Sequence, residues 1–366
     1  MNVKNLWLRK EDKSGERRVP ITPTEVSQLV KAGVGVTVER CSDRCYSDAD
    51  YAAAGAVLTD AAWQQAPLDC VVIALKELAD STEPVAHTHI HFSHTFKGQV
   101  GAKEVLARYS QGGGVIYDLE FLFDAQGRRI AAFGYWAGFV GAALGLLGVA
   151  HFSSSTAAFP ALRPFSDRGA LLSAVDAALE GAGWTDGSLN VMIMGALGRC
   201  GSGARDLITS LDALLSVTAW DLPEFTSAEK PIKEILAHEL FINCVYLREP
   251  IAPMIDQKLL SENKRLKVIS DVSCDPTSAD NPIRVYDAIT HLHAPFVRAA
   301  GQGEPVYVQA IDHLPTLLPR EASQEYAAAL FPSLLDFLTA ESASATWSEA
   351  RKRFDSALAD FSLTHG

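Results

Sequence analysis

Short apolar segments alternate with helical segments along this chain of 366 residues, in two successive series. In the first series, segments typical of strands fall at residues 5–9, 35–40, 69–76, 89–94 and 112–120, with helical spacing at 22–33 and 97–111. In the second series, strands are predicted at 189–195, 214–222, 240–247, 266–273 and 305–312. Because strands separated by helices form βαβ units, the pattern predicts an α/β protein with two parallel-sheet domains.

The segments after about residue 322 are helical and have no strands of their own, so we expect them to pack on the first domain. The predicted domains are therefore 1–130 plus 322–366, and 131–321. The stretch FGYWAGFVGAALGLLGVA at 133–150 has the apolar character of a membrane span, but its Gly and Ala content favours a helix buried between two domains.

Composition excludes several classes of partner. The net charge of -12 and a pI near 5.3 argue against nucleic-acid binding, which needs clustered Lys and Arg. The first ten residues lack the sections of a signal peptide, so we expect no membrane association and a cytoplasmic location. The oligomeric state is left open, a monomer included. The cysteines, Cys41, Cys45, Cys70, Cys200, Cys244 and Cys274, show no CxxC pair or zinc-type spacing, and we expect most of them to be reduced. Cys41 and Cys45 are interpreted as ordinary loop thiols, with a metal site or a bridge as the alternative.

A glycine-rich turn follows the first strand of the second series, in VMIMGALGRCGSGA at 191–204. Gly195, Gly198 and Gly201 have the spacing G-x-x-G-x-x-G, one residue longer than the common dinucleotide motif. Such a turn brings backbone N–H groups to a helix N-terminus, where the partial positive charge suits a pyrophosphate. Glycine-rich turns also occur for packing alone, so the spacing by itself leaves both interpretations open.

Asp221 ends the next predicted strand, 20 residues after Gly201. This is the distance expected for the carboxylate that binds the ribose 2′-hydroxyl of a dinucleotide. The acid would repel a 2′-phosphate, and no Arg or Lys follows in DLPEFTSAE, so the pattern predicts NAD rather than NADP. An Asp that closes a loop is the alternative. The sequence therefore predicts two Rossmann-like domains with an interdomain cleft, 131–321 binding NAD and the other binding substrate.

Three strand ends of the first domain carry groups suited to acid–base chemistry. Lys76 and His94 each end a predicted strand, Glu77 follows the lysine, and Glu120 closes a third strand. Ligands collect at the carboxyl ends of parallel strands, so we expect these side chains to face the cleft. A lysine with a lowered pKa can act as a base, histidine titrates near neutrality, and carboxylates can tune both. Taken singly, each residue is more typical of a solvated strand end than of a catalyst, whereas the set at three strand ends leaves both interpretations open.

Three histidines, His87, His89 and His91, share one face of a predicted strand. At about 3.3 Å per residue the outer two are roughly 13 Å apart, too far for one ion. We therefore predict no metal site and interpret them as hydrogen-bonded histidines of the core or its rim. Arg18 and Arg129 are suited to bidentate contacts with an acidic substrate, whereas their neighbours Arg17 and Arg128 are interpreted as solvated.

Several sequence blocks together resemble the fungal-type, lysine-forming, NAD-dependent saccharopine dehydrogenases. They include LWLRKEDKSGERRVPITP, IALKEL, HIHFSHTFKGQ, YDLEFLFDAQGRRIAAFGYWAGFVGAALG, GALGRCGSGA, INCVYLREPIAP, DVSCDPTSADNPI and IDHLPTLLPREAS. The resemblance runs to about residue 355, and alanine dehydrogenases and transhydrogenases share the general layout. It implies oxidation of saccharopine by NAD, with water, to L-lysine, 2-oxoglutarate and NADH.

The resemblance also implies roles for individual residues. Lys76 would accept the proton of the substrate's secondary amine, and His94 would activate water against the imine. Glu77 and Glu120 would tune these two groups. Substrate carboxylates would be bound by Arg18, Gln99 and Arg129. The nucleotide would be bound by Gly198, Arg199, Gly201, Asp221 and Asp312, with Cys200 and Cys244 beside it as a pair able to form a disulfide in oxidised protein.

Two other functions remain open from the sequence. One is an opine-type dehydrogenase that joins a different amino acid to a 2-oxo acid. The other is a catalytically silent NAD-binding protein, against which the presence of both Lys76 and His94 argues.

Overall fold

The computed structural model describes residues 5–96, 101–184, 186–227, 231–245, 251, 253–274, 276, 281–301 and 303–365. The chain divides into two compact units. Unit 1 comprises Met1–Ala132 with Pro319–Gly366, and unit 2 comprises Phe133–Leu318. Each is built around its own sheet.

The sheet of unit 1 is parallel between all neighbouring strands. Its strands are β1 (Leu6–Leu8), β2 (Val36–Glu39), β3 (Val57–Thr59), β4 (Val71–Ile73), β5 (Thr88–His91) and β6 (Val115–Asp118). They are arranged in the order β3-β2-β1-β4-β5-β6. The strand order reverses between β1 and β4, where open α/β sheets bind their ligands.

Helices cover this sheet, and local residues explain where two of them begin or end. They are α1 (Pro23–Lys31), α2 (Asp48–Ala53) and α3 (Ala102–Gly112). Helix α1 begins at a capping box, in which Thr22 and Glu25 satisfy each other's backbone N–H groups, and Pro23 occupies the first helical turn. Gly113 ends α3 in the left-handed conformation, with a φ of 76° that favours glycine.

Unit 2 begins with two helices and continues as a second α/β series. Its helices are α4 (Gly134–Phe152), α5 (Arg168–Gly181), α6 (Arg199–Thr209), α7 (Leu222–Ser227), α8 (Pro231–Ile235) and α9 (Gln257–Leu260). Its strands are β7 (Asp186–Met194), β8 (Leu214–Trp220), β9 (Leu240–Asn243), β10 (Ile255–Asp256), β11 (Val268–Asp271), β12 (Ile283–Arg284), β13 (Val297–Arg298) and β14 (Tyr307–Gln309).

The main sheet of unit 2 has the order β13-β14-β11-β9-β7-β8. Its pairs are parallel apart from β13 with β14, which is antiparallel. The order reverses between β7 and β9, so the ligand edge of this sheet lies where those two strands end. The strands β10 and β12 form a separate short pair.

Helix α4 is the one helix within the described ranges that is long and apolar enough to span a membrane, and 67% of its most apolar window is buried. It packs closely against α6 through glycines. A Cβ on Gly138 would lie 1.8 Å from the carbonyl oxygen of Cys200, and one on Gly203 would lie 1.9 Å from that of Tyr135. The apolar stretch is therefore a core helix of unit 2.

The chain returns to unit 1 with α10 (Pro319–Thr339) and α11 (Ala345–His365). Helix α11 contacts β6 and α3, and Phe354 is buried with Tyr109 in the core beside them.

The predicted fold class, α/β with two Rossmann-like parallel sheets, is confirmed. The strands are mostly shorter than predicted, because only the central residues of each apolar segment pair with neighbours. The elements missed by the sequence are short, with six residues at most: α2, β3, α7, α8, α9, β10, β12 and β13.

Candidate active site

The candidate catalytic residues of unit 1 follow strands that meet at the reversal of strand order. Lys76 and Glu77 lie just after β4, and the segment 9–18 follows β1, the paired neighbour of β4. The same edge of the sheet receives His94 after β5 and Glu120 after β6. The sheet topology therefore brings Lys76, His94 and Glu120 to one edge, whereas the sequence could only assign each of them to the end of its own strand.

Lys76 is partly buried in a charged surrounding. Burial lowers the pKa of its amine, and the positive charges of Arg18 and Lys13 lower it further, against the opposing effect of Glu16 and Glu77. A lowered pKa raises the fraction of neutral amine near neutral pH, so this lysine is suited to accept a proton.

Arg18 is buried and bound to a carboxylate of its own chain. Its Nε and Nη2 atoms donate to the two oxygens of Glu16 at 2.8 and 2.6 Å. Burial alone would raise the pKa of Glu16, but the charge and hydrogen bonds of Arg18 outweigh burial and lower it to about 2. Glu16 is thus an anion within the cluster around Lys76. A substrate carboxylate that binds Arg18 must share the Arg18 guanidinium with Glu16.

His94 lies on the exposed side of the same edge and has an unusual backbone conformation. Its φ is 53°, in the left-handed region that few residues other than glycine adopt. Its Nδ1 atom lies 3.7 Å from Oε2 of Glu77, the distance of an ion pair when the ring is protonated. Backbone strain of this kind is frequent at functional sites.

Asp118 connects the segments that carry His94 and Glu120. Its buried carboxylate accepts hydrogen bonds from the Ser93 hydroxyl at 2.6 Å and from the Glu120 N–H at 2.8 Å. Burial raises the pKa of Asp118, although these hydrogen bonds oppose the shift. Asp118 was not among the residues predicted from the sequence, and its place at the end of β6, two residues before Glu120, was the available signal.

The two arginines predicted to bind substrate carboxylates have a common neighbour. Burial raises the pKa of the Tyr326 hydroxyl, and the charges of both Arg129 and Arg18 act against that shift. Arg129 also lies over the ring of Phe92, 5.8 Å from its centroid. Gln99 lies outside the described residues.

Glu16 and Lys13 were also missed by the sequence analysis. They lie in the charged run KEDKSGERR between β1 and α1, where the pattern singled out Arg18 alone. A run with so many charges is usually a solvated loop. The parallel pairing of β1 with β4 is what brings part of it against Lys76.

Three histidines are buried in unit 1 at and just before β5: His87, which precedes the strand, and His89 and His91 within it. His87 and His91 contact the backbone carbonyls of Ala66 and Lys76 at 2.9 and 3.2 Å. His89 is buried in the core of unit 1, in agreement with its interpretation as a core histidine. His89 packs edge-on against Trp63, 4.6 Å between centroids.

In unit 2, the glycine-rich turn connects β7 to α6, and each glycine has a distinct environment. Gly195 has a φ of 82°, and a Cβ there would lie 2.9 Å from the Cys244 backbone. A Cβ on Gly201 would lie 2.2 Å from the Gly195 carbonyl oxygen, so this glycine allows the helix to pack closely on the turn. Gly198 precedes the first helical residue and is exposed, and a Cβ there would come no nearer than 3.5 Å to the Gly195 oxygen. The first and third glycines thus serve packing, and the second leaves space for a ligand.

Asp221 directly follows β8 and holds the glycine turn from the side. Its Oδ2 accepts from the N–H of Leu197, and its Oδ1 from that of Leu222, both at 2.9 Å. Leu197 and Leu222, whose N–H groups Asp221 binds, are 76% and 67% exposed and present apolar side chains to solvent. Asp221 therefore has the loop-closing contacts that were its alternative interpretation.

Cys200 lies in the first turn of α6, and Cys244 follows β9. Both are free thiols in the structure, so the disulfide stays a prediction for oxidised protein. Burial raises the pKa of Cys200 to about 11 and that of Cys244 well above its usual value, and Cys200 contributes to the second shift. The two thiols are thus close enough to interact.

The two remaining predicted cofactor residues are exposed. Arg199 begins α6 directly after the glycine turn. Asp312 follows β14 and is paired through Oδ1 with Nδ1 of His313.

The chain is similar to known proteins along nearly its whole length. The family described as alanine dehydrogenase/PNT, N-terminal domain, matches residues 7–140. Saccharopine dehydrogenase (NAD(+), L-lysine-forming) of Schizosaccharomyces pombe is 40% identical over 364 residues, which cover 97% of this chain and 98% of that protein. The protein of the same name from Candida albicans is 40% identical over 368 residues, with 96% of each chain covered. Among solved structures, an L-alanine dehydrogenase has a TM-score of 0.65 at 15% identity and covers 95% of this chain and 93% of its own, a likeness of fold.

Proposed function

Since the chain belongs to the family of NAD-dependent, lysine-forming saccharopine dehydrogenases, we propose that unit 1 carries the substrate chemistry and unit 2 binds the nucleotide. The protein is an oxidoreductase that converts saccharopine, with NAD and water, to L-lysine and 2-oxoglutarate. NAD, when bound, supplies the acceptor for the hydride of the substrate carbon.

Lys76 acts first, as the base. The secondary amine of saccharopine must be unprotonated before the neighbouring carbon can give up a hydride. Lys76 has a pKa lowered by burial and by two neighbouring cations, so its neutral amine can take that proton. The anion of Glu16 limits this lowering and thereby helps to set the basicity of Lys76.

His94 acts on the imine that results. Water must lose a proton as it attacks the imine carbon, and the departing lysine nitrogen must gain one. The half-exposed imidazole of His94 can accept the first proton and return the second, and Glu77 at 3.7 Å stabilises the imidazolium in between.

Glu120, held by Asp118, is proposed to tune Lys76 and His94. The substrate carboxylates are proposed to bind to Arg18, Arg129 and Gln99.

The residues of unit 2 fit a dinucleotide. The N–H groups that begin α6 follow the open Gly198 and suit a pyrophosphate, which Arg199 can also contact. Asp221 is proposed to bind the adenosine ribose, and the exposed Leu197 and Leu222 to pack on the adenine. Asp312, Cys200 and Cys244 are proposed to lie beside the nucleotide.

The placement of Lys76, with its lowered pKa, beside Glu77 and His94 carries this assignment of roles. The test is the oxidation of NADH by 2-oxoglutarate with L-lysine, compared with a panel of other amines, in wild type and Lys76→Met. We expect lysine to be preferred and the variant to lose most of its turnover. Preference for another amine would indicate the opine-type alternative, and wild-type turnover in Lys76→Met would remove Lys76 from the mechanism.

A further inference from the structure

The backbone around Lys76 is held by two charged side chains from the segment after β1. The Glu11 carboxylate accepts hydrogen bonds from the successive N–H groups of Leu75 and Lys76, at 2.6 and 2.9 Å. The Arg9 guanidinium donates through Nη2 to the carbonyl oxygen of Lys76 and to that of Glu77, the latter at 3.1 Å. Both backbone polar groups of Lys76 are thus bound by this pair.

Arg9 and Glu11 lie where the backbone pairing between β1 and β4 ends. The parallel pairing of β1 with β4 ends at Leu8 and Ile73, and the Arg9 N–H still donates to the Ile73 carbonyl at 3.1 Å. Beyond that point β1 offers no further backbone partners to residues 75–77 among the contacts of the described chain, and the side chains of Glu11 and Arg9 take their place. On the β5 side, the Leu75 carbonyl still accepts from the Phe92 N–H at 2.8 Å.

We propose that Arg9 and Glu11 are positioning residues that hold the Lys76 segment as an extension of β4 and thereby place the Lys76 amine for proton transfer. This inference rests on the proposed role of Lys76 as the base. The Arg9 side chain is fully buried, where a guanidinium must be paired or hydrogen-bonded, and its Nη1 and Nη2 atoms make four such contacts. Its remaining bonds, to the Lys10 carbonyl at 2.9 Å and to Asp12 at 3.2 Å, fix the guanidinium in one orientation.

The pair acts by geometry more than by charge. The charges that move the pKa of Lys76 most are those of Arg18, Lys13, Glu16 and Glu77. Loss of the Glu11 carboxylate would free two N–H groups and loosen the segment. The Lys76 amine would then gain water, which relieves the burial that lowers its pKa, and it would leave its position relative to the substrate. Displacement of a catalytic group by about 1 Å can reduce the rate on the order of 100-fold.

The test compares Glu11→Ala and Glu11→Gln with Glu25→Ala as a matched control. Glu25 is also a buried glutamate of unit 1 that accepts a backbone N–H, that of Thr22 at 3.0 Å, but it caps α1. Turnover is measured against pH as oxidation of NADH with 2-oxoglutarate and L-lysine, and the limb of the profile that belongs to Lys76 is identified by its loss in Lys76→Met. Thermal melting monitors folding.

We expect Glu11→Ala to lower turnover about 10-fold to 100-fold and to move the Lys76 limb to higher pH. The smaller change Glu11→Gln keeps one acceptor oxygen and should fall between wild type and Glu11→Ala, which keeps the test valid if the alanine variant does not fold. Glu25→Ala should lower the melting temperature and leave the limb in place. Wild-type turnover and an unmoved limb in Glu11→Gln and Glu11→Ala would overturn the inference, as would an equal shift in Glu25→Ala. Wild-type turnover in Lys76→Met would instead overturn the proposed role of Lys76 itself.

Discussion

The imidazole Nδ1 of His94 lies 3.7 Å from Oε2 of Glu77, the residue that directly follows Lys76. The His94 and Glu77 side chains are each close to half exposed, at 46% and 44%, whereas Lys76 is mostly covered. The Glu77 carboxylate therefore acts on both groups: its charge raises the pKa of the covered Lys76 amine, and it lies near the open His94 imidazole. This difference in exposure matches the two proposed proton transfers, one with the substrate amine and one with water.

We expect Lys76→Met and His94→Gln each to lower turnover by roughly 100-fold to 10,000-fold, because each removes a general acid–base group. The double variant should fall further, since the two groups serve different steps. The measurement is the steady-state rate against pH for the three variants. NADH affinity, followed by fluorescence, serves as control and should stay near the wild-type value. A His94→Gln enzyme with wild-type turnover and an unaltered pH profile would leave His94 with a structural role.

Asp221→Ala is expected to weaken NAD binding roughly 10-fold to 100-fold, the effect of losing a hydrogen bond to a charged group. Wild type should strongly prefer NAD to NADP, because the carboxylate would repel a 2′-phosphate. The control is Asp186→Ala, which removes a carboxylate that also holds a backbone N–H, that of Ser188 at 3.1 Å, at the opposite end of β7. Equal catalytic efficiency with NADP in wild type would contradict the assignment of Asp221.

Gly198→Ala should separate nucleotide binding from folding. A Cβ there would meet the Gly195 oxygen at 3.5 Å, an ordinary contact, so the free energy of unfolding should change little. The same Cβ would occupy the surface proposed for the pyrophosphate, and NADH affinity should fall. Urea unfolding and NADH fluorescence measure the two quantities. Unchanged affinity would indicate that the phosphates bind elsewhere.

Gly138→Ala and Gly203→Ala should destabilise unit 2 by about 3 kcal/mol or more, because each Cβ would overlap a backbone carbonyl between α4 and α6. Gly181, near the end of α5, has no atom within 4 Å of an added Cβ, so Gly181→Ala is the matched control and should be neutral or slightly stabilising. Urea unfolding curves compare the three variants. Near-wild-type stability in both Gly138→Ala and Gly203→Ala would contradict the close packing of these helices.

Acid should destabilise the protein through the buried histidines of β5. Burial lowers the pKa of His91 to about 3 and that of His89 well below its usual value of 6.5, so both are neutral in the folded state. Below pH 6.5 the unfolded chain binds protons at these histidines that the folded chain does not bind. The contribution of the two histidines to stability is therefore complete above pH 6.5 and is lost as the pH falls from there toward 3. Between about pH 7 and about pH 5 His91 should contribute a loss of about 2 kcal/mol, and His89 should contribute a loss in the same direction.

The variant His89→Phe tests this dependence, because it keeps an aromatic ring against Trp63 and removes the titrating group. Its free energy of unfolding in urea should fall less between about pH 7 and about pH 5 than that of wild type, because the variant has no imidazole to protonate on unfolding. An equal fall in both proteins would show that His89 is protonated in the folded state or does not contribute.

Much of the site could be predicted from local sequence because it depends on positions at strand ends. Parallel strands place their carboxyl ends at one edge, so recognition of strands β4, β5 and β6 was enough to group Lys76, His94 and Glu120. The roles of individual glycines could not be predicted from their spacing. A Cβ on Gly195 would overlap the Cys244 backbone, and a Cβ on Gly201 would overlap the Gly195 carbonyl oxygen. These close approaches exist only once β7, β9 and α6 have packed.

By itself, the sequence determined the α/β class, the repeated strand–helix series, the glycine turn and the strand-end candidates. These follow from periodicity and from residue chemistry within short segments. Only the tertiary structure decided that Glu16 pairs with Arg18 beside Lys76, that Glu11 and Arg9 hold the lysine's backbone, and that His89 is buried against Trp63. The reason is that β1 and β4 are neighbours in the sheet although more than sixty residues separate them in the chain, and burial and electric field depend on neighbours in space.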